Sequence, residues 1–225
     1  MSSPSIEDIL KQYWHHAAFR PLQADIINHV LAGNDTLALL PTGGGKSVCF
    51  QVQAMAMEGL CIVVSPLIAL MKDQVEQLLR RGIFAVAVYS GMDWKLLDKT
   101  LDECVNGKAK FLYLSPERLQ TELFKERVKR MNISLLAIDE AHCISQWGYD
   151  FRPKYMCIEE FRQTIPEVPI IALTATATPQ VQVDIQQKLG FKENGKVFQK
   201  SFARPNLSYT IAQVDDREGK MLQAL

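Results

Sequence analysis

A chain of 225 residues, 48% hydrophobic and 22% charged, carries enough apolar material for one large core and enough charge for a solvated surface; this excludes a disordered or low-complexity polymer and requires no second domain. Its 25 basic residues balance 25 acidic ones, so bulk charge selects no polyanionic partner and any such binding has to be local. No apolar run approaches a bilayer span, residues Met1 to Asp8 lack the basic and apolar regions of a secretory leader, and the five cysteines form no C-x-x-C pair, which predicts a cytoplasmic protein with core thiols and no membrane partner.

The first predicted element is a helix from about Pro21 to Leu31, with Leu22, Ile26, Ile27, Val30 and Leu31 inward and a stop at Gly33-Asn34-Asp35. Thr36 to Leu40 is a short apolar run that reads as a buried strand, and a helical stretch opens at Ser47. Between them, Leu40-Pro41-Thr42-Gly43-Gly44-Gly45-Lys46-Ser47 has the Gly-Lys-Ser ending of a phosphate-binding loop, with Leu40 where the first glycine usually stands. Gly43, Gly44 and Gly45 let backbone N–H groups face phosphate oxygens at a helix N-terminus, Lys46 reaches the β- and γ-phosphates, and Ser47 is a ligand for Mg²⁺. The bland alternative is a glycine-rich turn before a helix with a solvated lysine.

Apolar, β-rich runs recur at Leu60 to Val64, Phe84 to Val88, Phe111 to Leu114, Ile133 to Ile138 and Ile170 to Leu173. Helical patterns lie between them, as at Leu67 to Leu79, with Leu70, Met71, Val75, Leu78 and Leu79 on one face, and at Gln180 to Leu189, closed by Gly190. Strands buried on both faces and alternating with helices predict a parallel sheet with right-handed crossovers. Asp139-Glu140-Ala141-His142 follows the fifth of the six strand runs at its C-terminal end, where open α/β sheets bind ligands. Asp139 is the candidate metal ligand and Glu140 the group that polarises an attacking water. Alone, such a pair also reads as a solvated loop; joined to the phosphate loop it predicts an ATPase site. Ser201 to Leu207 has the Pro-Asn punctuation of a linker.

Phe19-Arg20-Pro21-Leu22-Gln23, the phosphate loop, the run Ser65 to Val75, the run Asp139 to Gly148 and Leu173-Thr174-Ala175-Thr176-Ala177-Thr178 occur in one order. That order resembles the first RecA-like lobe of a RecQ-type, DEAH-box DNA helicase. The resemblance implies a RecA-like P-loop NTPase fold, a three-layer α/β sandwich with a mainly parallel central sheet. It divides the chain into an N-terminal helical segment (1–34), the ATP-binding lobe (35–200), and a linker with the start of a second lobe (201–225).

The resemblance also assigns roles. Arg20 and Gln23 match the motif that reads adenine, as a carboxamide can by bonding bidentately to the base edge. His16 stands where the family usually has an aromatic that stacks on the base, and an imidazole can still stack; the neighbouring His15 reads as a solvated surface residue. His142 joins Lys46, Asp139 and Glu140 as catalytic, and Thr174 and Thr176 couple nucleotide state to DNA through His142. The segment from Cys143 to Tyr155 is similar to the family's aromatic-rich loop. Gln146, Trp147, Phe151 and Arg152 would bind single-stranded DNA there, stacking being worth about 1–3 kcal/mol per base. Packing as a satellite core is the alternative for Phe151 and more so for Tyr155. Tyr149 replaces the family's usual histidine, so no proton-dependent role is expected there. Ser65, Lys72, Ser115 and Arg118 fall where backbone contacts to DNA are implied, although Lys72 and Arg118 read equally as solvated helix charges.

The implied whole is a monomeric motor lobe using ATP and Mg²⁺ to unwind duplex DNA 3′ to 5′ along a single strand, nucleoid-associated in a bacterium. It requires a second RecA-like lobe of the same polypeptide to close over the nucleotide and supply an arginine worth about 10³–10⁵ in rate. The lobe alone is expected not to unwind DNA and to hydrolyse ATP slowly. The alternatives are an unrelated P-loop kinase or switch, and a non-catalytic module that binds nucleotide and DNA.

Overall fold

Alternating inward and outward side chains along buried strands generate two cores in a computed structural model that describes residues 4–148 and 150–201. Seven strands, β1 (Thr36–Leu39), β2 (Leu60–Val64), β3 (Ala85–Val88), β4 (Phe111–Leu114), β5 (Ile133–Ile138), β6 (Ile170–Thr174) and β7 (Lys196–Gln199), form one sheet in the order β3-β4-β2-β5-β6-β1-β7. Every pairing is parallel. Leu37, Leu39, Ile62, Val64, Leu112, Leu114, Leu136, Ile138 and Ala172 point to one face. Ala38, Cys61, Val63, Phe111, Tyr113, Leu135, Ala137, Ile171 and Leu173 point to the other. Helices α5 (Trp94–Val105), α6 (Glu122–Val128), α7 (Cys157–Thr164) and α8 (Pro179–Lys188) cover the first face; α1 (Ile6–Ile9), α2 (Gln23–Leu31), α3 (Lys46–Ala56) and α4 (Ile68–Arg80) cover the second. The result is the predicted three-layer sandwich, its sheet parallel throughout.

Four sequence expectations change. Strand β7 was not anticipated: it is an edge strand with Phe198 its one buried residue, and lysine and glutamine at its ends hide the pattern. Helix α2 starts at Gln23, because Leu22 takes a left-handed φ of 72° and acts as its N-cap. On α4 the inward face is narrower than the apolar pattern suggested: Met71 and Leu78 are buried, whereas Leu67 and Leu70 are each 43% exposed and Leu79 is also exposed. The third strand begins at Ala85, with Phe84 left exposed. All five cysteines are free and buried, as core thiols should be. No helix among the described residues is long and apolar enough to cross a membrane. The predicted linker beyond Ser201 and the departure at Tyr149 lie outside the described residues.

One polar clasp lies at the other end of the sheet from the loops described below. Asp35 is fully buried just before β1 and accepts N–H bonds from Ile170 (2.9 Å) and Lys192 (2.9 Å), and from the buried Arg162 guanidinium at 3.4 Å. It ties β1, β6, α7 and the turn before β7 together.

Candidate ATPase and nucleic-acid site

The sheet order makes β5, β6 and β1 neighbours, so the segments leaving their C-terminal ends converge although they are far apart in sequence. The ladder runs on past the strands: Leu40 N–H donates to Thr174 O at 3.1 Å, and Asp139 N–H to Val64 O at 2.9 Å.

After β1 the phosphate loop turns tightly, with Gly44 N–H donating to Pro41 O at 2.8 Å, and α3 starts at Lys46. Gly45 has a φ of +79°, a conformation that favours glycine, and a Cβ there would sit 2.4 Å from Gln23 Nε2 and displace that amide from the loop. Gln23 is tied to this loop: its amide nitrogen donates to Gly44 O (3.3 Å) and Gly45 O (3.1 Å), while its oxygen accepts from Arg20 N–H (2.8 Å). Arg20 donates from its guanidinium to Gly43 O. The two predicted adenine readers therefore brace the loop backbone from the side. A cleft of about 610 Å³ opens beside them, lined by His16, Arg20, Gln23, Lys46 and Ser47. His15, read from sequence as a solvated residue, lines it too. Thr42 is exposed at the loop tip.

After β5, Glu140 takes a left-handed φ of 48°, unusual for a side chain with a Cβ and a recurrent sign of a functional position. That turn sends its carboxylate toward Lys46, with Nζ and Oε1 3.5 Å apart. Asp139 is only 9% exposed. One of its carboxylate oxygens accepts from Glu140 N–H at 3.0 Å and the other from Ser65 Oγ at 3.4 Å, and Tyr155 OH donates to its backbone carbonyl at 3.0 Å. Burial, then the neighbouring Glu140 charge, push the Asp139 pKa up, with Lys46 pulling it partly back. The buried Asp139 carboxylate and the Ser47 hydroxyl in the first turn of α3 are hard oxygen donors of the kind that Mg²⁺ prefers, so the two residues fit the predicted ion. Because the carboxylate charge is held in a buried place that disfavours it, Asp139→Asn is expected to raise the thermal midpoint of the nucleotide-free chain. The same change should remove Mg²⁺-dependent nucleotide binding; calorimetry with and without Mg²⁺ checks both.

His142 completes the network. Its Nδ1 lies 2.9 Å from Thr174 Oγ1 and 3.4 Å from Glu140 Oε2. Thr174 Oγ1 donates to Thr176 O (3.1 Å) and accepts from Thr176 N–H (3.1 Å), which leaves one lone pair for an imidazole N–H. Burial lowers the His142 pKa and so favours the neutral ring, and because Thr174 Oγ1 already donates to Thr176 O, the hydrogen-bond pattern assigns the proton to Nδ1 and a lone pair to Nε2. Lys46, Asp139, Glu140, His142, Thr174 and Ser65 thus form one connected set, with the Thr176 backbone attached to it.

The loop that follows begins on that set. Gly148 N–H donates to Ser145 O at 3.0 Å, and a Cβ on Gly148 would stand 2.6 Å from His142 O, so only glycine lets the turn press against the histidine backbone. The turn projects Trp147, 66% exposed, and Gln146 into solvent. Arg152 N–H closes the loop onto Cys143 O at 2.9 Å. The Arg152 guanidinium pairs with Asp150 (Nη2 to Oδ2 2.8 Å) and lies 3.4 Å from Pro66 O; Phe151 is half-buried and Tyr155 is core.

The other predicted DNA contacts separate into two groups. Ser65 and Ser115 are 2% and 3% exposed, so their hydroxyls are withdrawn from the surface, and that of Ser65 serves Asp139 instead. Lys72 and Arg118 meet at Tyr89 beyond β3: the Lys72 ammonium lies 4.6 Å from the ring centroid, and Arg118 donates to Tyr89 O at 2.6 Å. Gly148 and Asp150 were missed from sequence. A glycine one residue after an exposed tryptophan was the available signal for the first.

Over residues 20–185 the chain matches the DEAD/DEAH box helicase family. It is 41% identical over 213 residues to the ATP-dependent DNA helicase RecQ of Haemophilus influenzae, covering 95% of this chain and 34% of that protein. It is 40% identical over 216 residues to the probable ATP-dependent DNA helicase RecS of Bacillus subtilis, covering 96% and 43% respectively. The chain thus spans less than half the length of these relatives. The fold is shared with the Hef helicase domain of Pyrococcus furiosus (TM-score 0.64, 21% identity, 84% of this chain and 39% of that one). It is also shared with the DUF1998 helicase MrfA bound to DNA and AMPPNP (TM-score 0.68, 14% identity, 88% and 30%). With a family match over most of its length, and a phosphate loop and Asp-Glu-Ala-His turn on the converging ends of β1 and β5, this chain belongs to the DEAD/DEAH box helicase family.

Proposed function

We propose that this chain is the first motor lobe of a RecQ-type helicase, which couples ATP hydrolysis to 3′–5′ unwinding of DNA together with a second RecA-like lobe of the same polypeptide. The observation that carries the reading is the continuous path from Lys46 through Glu140 and His142 to the Trp147 turn, pinned by Gly148 against His142 O.

In this reading the triphosphate lies along the N–H groups of Gly43 to Gly45 at the start of α3, with the base in the cleft beside His16, Arg20 and Gln23. Mg²⁺, held through Ser47 and Asp139, supplies charge neutralisation of the phosphate oxygens. Lys46 leaves Glu140 for the phosphates, and Glu140, released from its partner, orients the attacking water. His142 stays neutral and reports the position of Glu140 to Thr174 on one side and, through its carbonyl, to the Gly148 turn on the other. Single-stranded DNA stacks a base on Trp147 and runs its backbone past Lys72 and Arg118, giving affinity that falls with salt and ignores sequence. The second lobe supplies an arginine at the γ-phosphate, so the lobe alone turns over slowly and does not unwind.

The test is ATP turnover, with and without single-stranded DNA, by a polypeptide in which this chain is joined to its second lobe. Trp147→Ala should remove most of the DNA stimulation, consistent with losing about 1–3 kcal/mol of stacking, and spare nucleotide binding. Equal loss of both would make the tryptophan a packing residue. Turnover that never responds to DNA would remove the helicase mechanism, and no turnover at all would leave only a nucleotide-binding module.

A further inference from the structure

One group of donors adjoins the catalytic network and shares His142 with it, through the ring nitrogen Nε2 that the network leaves open. Cys143 Sγ lies 3.8 Å from His142 Nε2 and 3.8 Å from an Asp150 carboxylate oxygen, and the three donor atoms all fall within 4.8 Å of one another. Among the described residues it is the one cluster of three such donors. From these distances we propose that His142, Cys143 and Asp150 bind a thiophilic divalent cation of the zinc class, at a position distinct from the Ser47 and Asp139 magnesium site. The proposal rests on donor geometry and does not depend on the motor reading.

Zinc bonds of about 2.3 Å to sulfur and 2.0–2.1 Å to nitrogen or oxygen put tetrahedral ligand atoms of this set roughly 3.3–3.6 Å apart, so the two sulfur distances of 3.8 Å contract slightly and the nitrogen-to-oxygen distance, which is within 4.8 Å, is brought in by the Asp150 side chain. The histidine is prepared for this. Its Nδ1 proton is fixed on Thr174, which leaves the Nε2 lone pair facing the cysteine. Arg152 donates through Nε (3.1 Å) and Nη2 (2.8 Å) to the same Asp150 oxygen that faces the thiol, so the carboxylate is already held in place and the ion would take its second oxygen or the remaining lone pair of the first. A mixed nitrogen, sulfur and oxygen set selects zinc or cobalt over magnesium, which shuns thiolate. The ion would enter from the side of Asp150, whose side chain is 45% exposed, against 12% for His142. On binding, the thiol proton leaves to solvent and three bonds form, to the thiolate sulfur, the ring nitrogen and a carboxylate oxygen; the metal stays divalent and water completes the fourth position. The bound ion would tie the first and last turns of the loop bearing Trp147 to each other and hold that loop in a single arrangement.

The test is titration of the purified, reduced chain with Co²⁺ alone, followed by displacement with Zn²⁺. One equivalent should bind with a thiolate-to-cobalt charge-transfer absorption. Cys143→Ser should abolish that absorption, and Asp150→Asn, a change at an exposed side chain, should weaken cobalt affinity at least tenfold; thermal unfolding of each variant checks that it folds. Cobalt that binds without the thiolate absorption overturns the proposal, and so does an absorption that survives Cys143→Ser or an affinity indifferent to Asp150→Asn.

Discussion

Lys46→Ala is expected to lower DNA-stimulated ATP turnover by about 10²–10³-fold in a polypeptide carrying both lobes, the usual loss when one preorganised donor to developing charge is removed. Two effects combine. The substitution takes the point charge away from the phosphates, and it leaves Glu140 without the partner 3.5 Å away that balances it, beside a second buried carboxylate at Asp139. A triphosphate would then approach two uncompensated carboxylates. In this chain alone the same variant should show weaker binding of a fluorescent ATP analogue with Mg²⁺ present, and Lys46→Arg should restore only part of it, since the guanidinium keeps the charge but not the shape. Turnover within twofold of the parent would mean that the glycine loop does not hold phosphates.

Asp35→Ala is expected to cost about 3–5 kcal/mol of stability, the range for breaking a buried ion pair by removing one partner. It strands the Arg162 guanidinium, which has one foot on Ile165 O and Val168 O but loses its counter-charge, and it orphans the N–H groups of Ile170 and Lys192. Against a total of roughly 5–15 kcal/mol, such a loss leaves the chain barely folded. Denaturant unfolding should show a lower midpoint at unchanged slope, and Asp35→Asn, which keeps an acceptor, should fall between the two. A loss under ~1 kcal/mol would mean that water replaces the clasp readily.

Asp35 also shows where sequence reading stops. After Gly33 and Asn34 it looks like any residue ending a helix; that it receives three donors from segments more than a hundred positions away is fixed by tertiary packing, and no local pattern records it. Ser65 is a similar case. Parallel register pairs Val64 with Ile138, so the next residues on each strand, Ser65 and Asp139, fall side by side, and the serine turns toward the acid instead of outward. By contrast the central strands were legible, because burial on both faces writes an unbroken apolar run, and the meeting of Lys46 with Glu140 was legible because each follows the C-terminal end of such a strand. The apolar residues of α4 misled for the opposite reason: periodicity identifies a face but not what covers it, and here Leu67 and Leu70 remain exposed.

The position of β1 in the sheet bears on how the chain is made. Its neighbours are β6 and β7, with Thr36 in register with Ile171 and Lys196, and no strand between β2 and β5 touches it. On the ribosome, which adds about 5–20 residues per second, β2 to β5 can pair while β1 waits for both partners to emerge. The glycine loop is thus synthesised well before its scaffold is complete, so nascent chains interrupted before β6 should be folded in part yet unable to hold a nucleotide.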